Sequence, residues 1–520
     1  MRAEFTPPDS NSQPTRLVGN PWIIALAVTS SAFMDVLDTS ITSISLRHMA
    51  GSLSATTDEA SWVMTSYLIA NAVILGASGW LSSLCGRKRL LLSGILVFTA
   101  SSAICGAAPS LACLIVSRVI QGISGGILQP TAQAVLLETF PPAKRSQAMA
   151  VYTAGIMLAP LIGSTVSGQI AQNYSWRWVF YLNVPVGLFA ALMTNAYVTD
   201  PPHFRRIKSM QGLDYIGFGL MALGLGSLQV LLDKGQQVDW FDSTLIRTLT
   251  VIAIISLAGF IYRELRVGIP IVDLRVLQNR NFALGTLLIA TIGGAAFYAT
   301  ITLIPLFLQT ILGYTTALSG ETLAPRVIGA LAGAAATWLL AGKIDGRLLM
   351  ICGFGSLGVS IYLLGGVTLD VDKSVFFWPH VLNGFAFGLI PAPLTTAAIS
   401  TLRTEQICNA TALFNLSKSL GGSLGISAVS TLLARQKQHH QTILAAHLTR
   451  YDLAFEQRLR KVAALWGERR AYAWADLTLT KQSSLLAFIY CFRFIALVCL
   501  VCVPLALLFK QVKPHSSRSN

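Results

Sequence analysis

The chain has 520 residues, of which 53% are hydrophobic and only 12% are charged. A soluble chain of this length would form roughly three or four domains with polar surfaces, and soluble domains carry about 25% charged residues. The composition therefore excludes a soluble enzyme, a disordered scaffold and a DNA-binding protein. The net charge of +15 does not indicate a nucleic-acid partner, because the basic residues lie between apolar segments.

Fourteen apolar runs follow one another along the chain, and each has about the length of roughly 20 residues that a helix needs to cross a bilayer. The runs lie at 22–46, 59–82, 90–108, 112–136, 147–171, 179–198, 214–232, 244–262, 282–311, 319–341, 348–368, 375–399, 408–433 and 485–508. The sequence therefore predicts an all-α polytopic membrane protein with 14 transmembrane helices embedded in the lipid bilayer.

Polar segments divide these runs into two sets of six with two runs between them. Residues 21–198 are predicted to form an N-terminal six-helix half, and residues 282–510 a C-terminal one. Residues 199–281 hold two basic linkers and two additional transmembrane helices. The first apolar run is too long for a signal peptide, so we expect residues 1–20 to be a disordered cytoplasmic tail. Residues 511–520 form a second polar tail.

The distribution of basic residues predicts the orientation in the membrane. With the N-terminus in the cytoplasm, the cytoplasmic loops and tails hold 20 Lys and Arg residues and the short opposite loops hold five. Cytoplasmic loops carry such an excess, so both termini are predicted to be cytoplasmic. Residues 434–484 are predicted to be a long polar periplasmic loop that is helical from Tyr451 to Ala475. This segment serves either as a solvated amphipathic cover or as a docking surface for a partner outside the membrane.

Ionisable residues inside the apolar runs are the main candidates for function, because charge within the hydrocarbon is costly. Asp35 and Asp38 are three residues apart in the first run and share a helix face. Burial and mutual repulsion favour a shared proton on such a pair, although either carboxyl could instead have a structural role. Each of the basic residues within the runs is expected to neutralise a carboxylate, to bind substrate, or to extend to the membrane interface. These residues are Arg118, Arg326 and Lys418.

Other features indicate a moving transporter without a cofactor. Gly155, Pro160 and Gly163 in the fifth run favour a helix that bends and packs closely. The sequence has no phosphate-binding loop and no metalloprotease motif, and its two GxSxG matches lie in apolar helical runs, so an enzyme is not expected. The energy source is therefore expected to be an ion gradient, such as a proton gradient, or a separate subunit. Candidate residues of a substrate cavity are Tyr67, Gln129, Gln133, Phe297, Tyr298, Gln309, Arg326 and Lys418.

Several motifs together resemble a known family. They are Leu37-Asp38-Thr39-Ser40-Ile41, the loop motif from Gly79 through Gly86, Arg87 and Lys88, Arg118-Val-Ile-Gln121-Gly122, Pro141 to Ser146, Gly155 to Gly163, Trp176 to Gly187, Gly226 to Gln229 with Asp239-Trp240-Phe241, and Pro270 to Leu274. The chain resembles the major facilitator superfamily, specifically the fourteen-span drug:proton antiporters of the EmrB/QacA type, and most of all the EmrB branch. The loop motif departs from the family at Ser83, where an Asp is usual.

The resemblance implies a function and roles for particular residues. Asp38 would take part in proton coupling, Arg118 would respond to protonation, and Gly155 and Pro160 would belong to the antiporter motif. Relatives of this type imply a bacterial inner-membrane pump that exports hydrophobic or amphiphilic toxic compounds. They also imply a periplasmic adaptor protein and an outer-membrane channel as partners. A dedicated exporter of one metabolite or siderophore, and an uptake symporter of the same fold, remain alternatives.

Overall fold

The computed structural model describes residues 20–200, 214–268, 270–369, 371–403, 406–446, 448 and 451–510. The predicted tails 1–20 and 511–520 lie outside the described residues, apart from Asn20, as does most of the first basic linker. The described part is helical and contains no β-strand, and only an isolated bridge joins Ala341 to Ile344. The prediction of an all-α protein is confirmed.

The N-terminal half is a bundle of long helices. Local sequence explains several helix ends: Asn20 caps the first helix, Thr56 and Glu59 form a capping box on the second, and Gly86, at φ 87°, separates the second from the third. The helices are α1 (Pro21–Ser52), α2 (Thr57–Cys85), α3 (Arg87–Ala107), α4 (Leu111–Thr139), α5 (Pro142–Asn173), α6 (Arg177–Tyr181) and α7 (Asn183–Tyr197).

The two additional helices, α8 (Tyr215–Lys234) and α9 (Thr244–Glu264), form an antiparallel hairpin. Asp214 closes one end of this hairpin, because its carboxylate caps α8 and accepts a hydrogen bond from Arg263 Nε at 2.6 Å. Two 3-10 turns, Gly235–Val238 and Trp240–Asp242, connect the helices at the other end.

The C-terminal half follows a second linker. Its elements are a 3-10 turn (Leu274–Gln278), α10 (Arg280–Leu288), a π-helical segment (Ile289–Ala296), α11 (Phe297–Thr310), α12 (Thr316–Leu323), α13 (Pro325–Leu340), α14 (Gly346–Leu364), a 3-10 turn (Lys373–Phe376), α15 (Phe377–Leu389), α16 (Pro391–Ile399), α17 (Ile407–Ala446), α18 (Leu453–Trp466) and α19 (Glu468–Leu507). Prolines at the starts of α13 and α16 explain why two predicted spans each appear as two successive helices.

Twelve segments of the described chain are long and apolar enough to cross a membrane, and each overlaps one of the predicted runs. The other two predicted runs, 147–171 and 408–433, fall within α5 and α17. These two helices have 32 and 40 residues, which exceeds the length that a bilayer requires. The count of fourteen spans stays a prediction.

The segment 434–484 is helical over most of its length, as predicted for Tyr451 to Ala475, and helical structure extends beyond that stretch on both sides. Helix α17 continues to Ala446, and the last long helix, α19, already begins at Glu468. The amphipathic helix α18 lies between them and buries Leu459. Residues such as Arg, Glu, Gln and Ala are good helix formers in water, and Arg460 pairs with Glu456 one turn away at 2.9 Å. The helix predicted from Tyr451 to Ala475 corresponds to α18 and the start of α19, whereas the continuation of α17 to Ala446 was not predicted.

The two halves touch at the end of the bundle that carries the basic loops around Arg87 and Lys144, which we call the basic end. A Cβ atom added to Gly79 of α2 would lie 2.8 Å from the Cα of Asn409 in α17. Deeper in the bundle, Asn415 Nδ2 donates to Gln133 Oε1 at 2.7 Å. These contacts join the halves at the basic end in the described conformation.

Candidate functional site

A buried ion pair links α1 to α4. Arg118 Nη1 donates to Asp38 Oδ2 at 2.5 Å, and both side chains are fully buried. Asp38 Oδ1 accepts two further hydrogen bonds, from Gln121 Nε2 and Asn183 Nδ2, each at 2.8 Å. The carboxylate therefore has three donors from α4 and α7, which is the arrangement that an ionised carboxyl needs when it is buried.

The arginine of this pair is held from several sides. Its Nε donates to the backbone carbonyl of Val63 at 3.2 Å, and Nη1 also donates to Gln121 Oε1 at 2.8 Å. Its guanidinium lies over the ring of Tyr67, with 4.1 Å between Cζ and the ring centroid. Such stacking stabilises a cation that has lost its water.

Asp35 belongs to a second network. Its Oδ1 accepts a hydrogen bond from the hydroxyl of Tyr67, and its Oδ2 accepts one from Gln129 Nε2 at 2.7 Å. Asp35 is only 4% exposed. The sequence suggested one carboxyl pair on a shared face, but a three-residue step turns the second side chain by about 60° around the helix axis. Each carboxylate consequently has its own donors, and Tyr67 contacts both networks.

One glycine allows these networks to form. A Cβ atom added to Gly125 of α4 would lie 2.7 Å from the Tyr67 hydroxyl and 2.8 Å from Asp35 Oδ1. Carbon atoms do not approach polar oxygens this closely without displacement. The absence of a side chain at this position is therefore required for the hydrogen bond between Tyr67 and Asp35.

A cavity of about 60 Å³ lies between the halves, close to Asp35. Its lining contains Gln129, Gln133, Met149, Tyr152, Thr153, Ile156, Met157, Ile289, Gly293, Phe297, Phe387, Pro391, Thr395, Phe414, Asn415 and Lys418. Pockets for drug-sized ligands have volumes of roughly 300–1,000 Å³. The cavity is thus too small for such a ligand in the described conformation.

Four of the predicted cavity residues line this cavity: Gln129, Gln133, Phe297 and Lys418. The π-helical segment contributes Gly293 and leads directly into Phe297, and π-helical turns are frequent at functional sites. Asn415 and Tyr152 also line the cavity but were not predicted. Both are polar residues inside apolar runs, and the same feature identified Gln129 and Gln133 as candidates.

The other predicted cavity residues lie elsewhere. Tyr67 is enclosed between Asp35 and Arg118, and Tyr298 packs against Gly422 of α17. Gln309 is exposed near the end of α11, so it does not line the cavity. Arg326 stacks over Phe297 and Phe387, outside the lining itself.

The antiporter motif packs against the helix that carries both aspartates. A Cβ atom added to Gly155 of α5 would lie 2.4 Å from Thr29 Cγ2 in α1, and one added to Gly163 would lie 3.1 Å from Ser40 Cβ. Ser40 Oγ donates to the carbonyl of Pro160 at 3.4 Å. Close packing of α5 on α1 therefore depends on the small residues of the motif.

The loop motif organises the basic end. Arg87 forms a buried ion pair with Glu138 at the end of α4. The backbone N–H of Lys88 donates to Asp200 Oδ1 at 2.9 Å, and its Nζ donates to the carbonyl of Asn195 at 2.7 Å. Ser83, which replaces the usual Asp, donates to the carbonyl of Trp80 within its own helix. The charge of Arg87 is therefore balanced within the N-terminal half, and Lys88 is held there by hydrogen bonds.

Comparison with known proteins agrees with this architecture. Residues 28–426 match the sequence profile of the Major Facilitator Superfamily. The chain belongs to the major facilitator superfamily. It is 36% identical to the fatty acid resistance protein FarB of Neisseria gonorrhoeae over 84% of this chain and 85% of FarB. It is 33% identical to the multidrug export protein EmrB of Escherichia coli K12 over 89% of this chain and 90% of EmrB.

A solved structure supports the same fold. The human organic anion transporter MFSD10 superimposes with a TM-score of 0.58 at 13% identity, covering 94% of this chain and 100% of that chain. Membership of the superfamily confirms the prediction of a multi-pass membrane transporter rather than an enzyme.

Proposed function

We propose that this transporter is a proton-coupled efflux antiporter of a bacterial inner membrane, and that it exports hydrophobic or amphiphilic compounds by alternating access. The observation that carries the proposal is the buried pair of Asp38 and Arg118, since it provides a carboxylate whose protonation changes contacts between two helices. Similarity to the multidrug export protein EmrB and to the fatty acid resistance protein FarB supports export as the direction.

Protonation of Asp38 would remove the charge that balances Arg118. A protonated carboxyl brings its own donor into a site where three donors already converge, so at least one of these hydrogen bonds has to change. Arg118 Nη1 has a second acceptor in Gln121 Oε1 at 2.8 Å. The arginine can thus turn away from α1 while it keeps a hydrogen bond, and α1 becomes free to move relative to α4.

Substrate binding would affect the pair of Asp38 and Arg118 through Asp35. Gln129 both donates to Asp35 Oδ2 and lines the cavity, so a substrate that displaces Gln129 changes the surroundings of the carboxylate. Tyr67 then connects Asp35 to the stacked guanidinium of Arg118. Coupling requires that substrate and proton favour different conformations, and this chain of contacts gives each ligand an effect on the binding of the other.

The test is antiport by purified protein in proteoliposomes. A pH gradient is imposed, a trapped pH dye reports the lumen, and lipophilic cations, uncouplers and organic anions are added in turn. We expect a substrate-triggered pH change with the wild type and none with Asp38→Asn. The matched control is Asp242→Asn, the same substitution at an exposed aspartate, which should behave as the wild type. An unchanged response of Asp38→Asn would overturn the proposed coupling.

We further propose that both termini are cytoplasmic and that the transporter works with a periplasmic adaptor protein and an outer-membrane channel. The segment 434–484 supports a docking role toward the adaptor, because it exposes large apolar side chains: Leu453, Leu465 and Trp466 are 77%, 79% and 57% exposed. A photo-crosslinking residue placed at Leu465 should capture the adaptor in cells. The same photo-crosslinking residue placed at Leu348, which is exposed at the basic end, should not capture the adaptor.

The alternatives predict different results. An uptake symporter of the same fold would accumulate substrate in cells, whereas the proposed exporter lowers its intracellular concentration. A dedicated exporter of one metabolite or siderophore would respond to a single compound in the proteoliposome panel, whereas a multidrug exporter would respond to several of unrelated structure.

A further inference from the structure

A group of polar side chains in the C-terminal half is buried without hydrogen-bond partners among the described residues. The atoms concerned are Nδ1 and Nε2 of His380, Nδ2 and Oδ1 of Asn383, and Nη2 of Arg326. His380 and Asn383 are 0% exposed. Buried polar atoms in folded proteins are nearly always satisfied, so a molecule that can form hydrogen bonds is expected to occupy this place.

The three side chains lie together. His380 and Asn383 are three residues apart on α15, hence on one face of the helix, and Phe387 follows one turn later. Helix α13, which carries Arg326, packs directly on α15, since a Cβ atom added to Gly384 would lie 1.7 Å from the carbonyl oxygen of Arg326. Arg326 and His380 are also close enough to interact electrostatically.

An aromatic pair separates this group from the central cavity. The rings of Phe297 and Phe387 both line the cavity, and their centroids are 4.4 Å apart. The guanidinium of Arg326 lies over the same two rings, 5.6 Å and 5.1 Å from their centroids. The polar group is therefore adjacent to the cavity and faces it across the aromatic pair.

The charge of Arg326 is not balanced. Arg118 in the N-terminal half has Asp38 as a counter-ion, whereas Arg326 forms no ion pair with any described carboxylate. Arg326 is partly exposed, but its Nη2 is enclosed without a hydrogen-bond partner among the described residues. An enclosed charged donor of this kind is stabilised by an anion that accepts from it. The group thus combines an unbalanced positive charge with an amide donor and an imidazole.

We propose that Arg326, Asn383 and His380 form an anion subsite that binds the carboxylate of an amphiphilic substrate, while its apolar chain lies against Phe297, Phe387 and the cavity. A guanidinium binds a carboxylate through two parallel hydrogen bonds, and Asn383 Nδ2 and one ring N–H of His380 supply further donors. This inference deepens the proposed function and rests on it, because it names the class of substrate exported.

The position of the subsite fits a path outward. Arg326 is the second residue of α13 and His380 lies in the first turn of α15, both at the helix ends remote from the basic end. The hydrogen bond between Asn415 and Gln133 closes the opposite side of the cavity. A substrate that leaves the cavity away from the basic end therefore meets the subsite.

Binding of sodium dodecanoate to the purified protein in nanodiscs tests this assignment, with dodecanol and dodecyltrimethylammonium as uncharged and cationic probes of the same chain length. We expect dodecanoate to bind the wild type about tenfold or more tightly than dodecanol. Arg326→Gln should lose this preference and keep its affinity for dodecanol. Arg326→Lys should keep part of it, and the exposed control Arg460→Gln should keep all of it.

A measurement on the wild type covers the case in which Arg326→Gln does not fold. A dodecanoate analogue with a photoreactive group beside the carboxylate should label α13 near Arg326 and α15 between His380 and Phe387. Equal affinity of the wild type for dodecanoate and dodecanol, or labelling confined to other helices, would show that water alone occupies the group and would overturn the assignment.

The two proposals can fail separately. If dodecanoate binding depends on Arg326 but no compound triggers a pH change, the subsite is retained and proton antiport is rejected. If lipophilic cations trigger a pH change but the protein does not prefer dodecanoate over dodecanol, antiport is retained and the subsite is rejected.

Discussion

The ring of Tyr67 lies beneath the guanidinium of Arg118, with 4.1 Å between Cζ and the ring centroid, while its hydroxyl donates to Asp35. One side chain from α2 therefore contacts the cation that neutralises Asp38 and also the second buried carboxylate. This relationship connects the two aspartates of α1, although their carboxylates have separate hydrogen-bond donors.

The first prediction concerns the hydroxyl of Tyr67. Tyr67→Phe keeps the ring under Arg118 but removes the donor to Asp35, so we expect loss of about 1 kcal/mol of stability together with weaker coupling between substrate and proton. The measurement is the substrate-triggered pH change in proteoliposomes, with thermal unfolding in detergent. Tyr215→Phe at an exposed tyrosine is the control. Wild-type coupling in Tyr67→Phe would rule out the connecting role.

The second prediction concerns the ion pair itself. Arg118→Gln should destabilise the protein by about 3–5 kcal/mol, because it leaves the Asp38 carboxylate buried without a cation. Asp38→Asn should act similarly by leaving the arginine unbalanced. The double variant removes both charges, so it should be more stable than either single variant.

The measurement is a double-mutant cycle, in which thermal unfolding of the two single variants and of the double variant is compared with the wild type. Additive losses of stability would mean that the two side chains do not interact, contrary to the structure. The double variant is also expected to lack proton antiport, because a restored fold does not restore the carboxyl group of Asp38.

The third prediction concerns packing at Gly125. Gly125→Ala places a methyl group 2.7 Å from the Tyr67 hydroxyl and 2.8 Å from Asp35 Oδ1, so we expect a loss of about 1–3 kcal/mol and reduced transport. Gly219→Ala is the matched control, since no atom lies within 4 Å of its added Cβ. Equal melting temperatures of the two variants would contradict the close approach of α4 to Tyr67.

The fourth prediction concerns orientation. In variants with a single cysteine, a membrane-impermeant maleimide added to spheroplasts should label Tyr174→Cys, which is 79% exposed in the wild type, and should not label the exposed Cys85 at the basic end. Lysis should make Cys85 reactive. Labelling of Cys85 before lysis, without labelling at position 174, would mean that the basic end faces outward.

Hydropathy along the chain predicts where most helices lie, because it depends only on residues next to each other in the chain. Each of the twelve apolar segments overlaps a predicted run, and caps such as Asn20 and the pair Thr56 and Glu59 explain where helices begin. The sequence also predicts the helical stretch from Tyr451 to Ala475, but it does not predict that helix-forming polar residues continue α17 to Ala446.

Which polar residues meet depends on how the helices pack in the folded bundle. Hydropathy does not report the rotation of a helix about its axis, which depends on how neighbouring helices approach. That rotation turns Gln129 to Asp35 and leaves Gln309 exposed, although both are glutamines within apolar runs. The partners of Asp38 also come from helices far away in sequence, because α1, α4 and α7 meet only in the folded bundle.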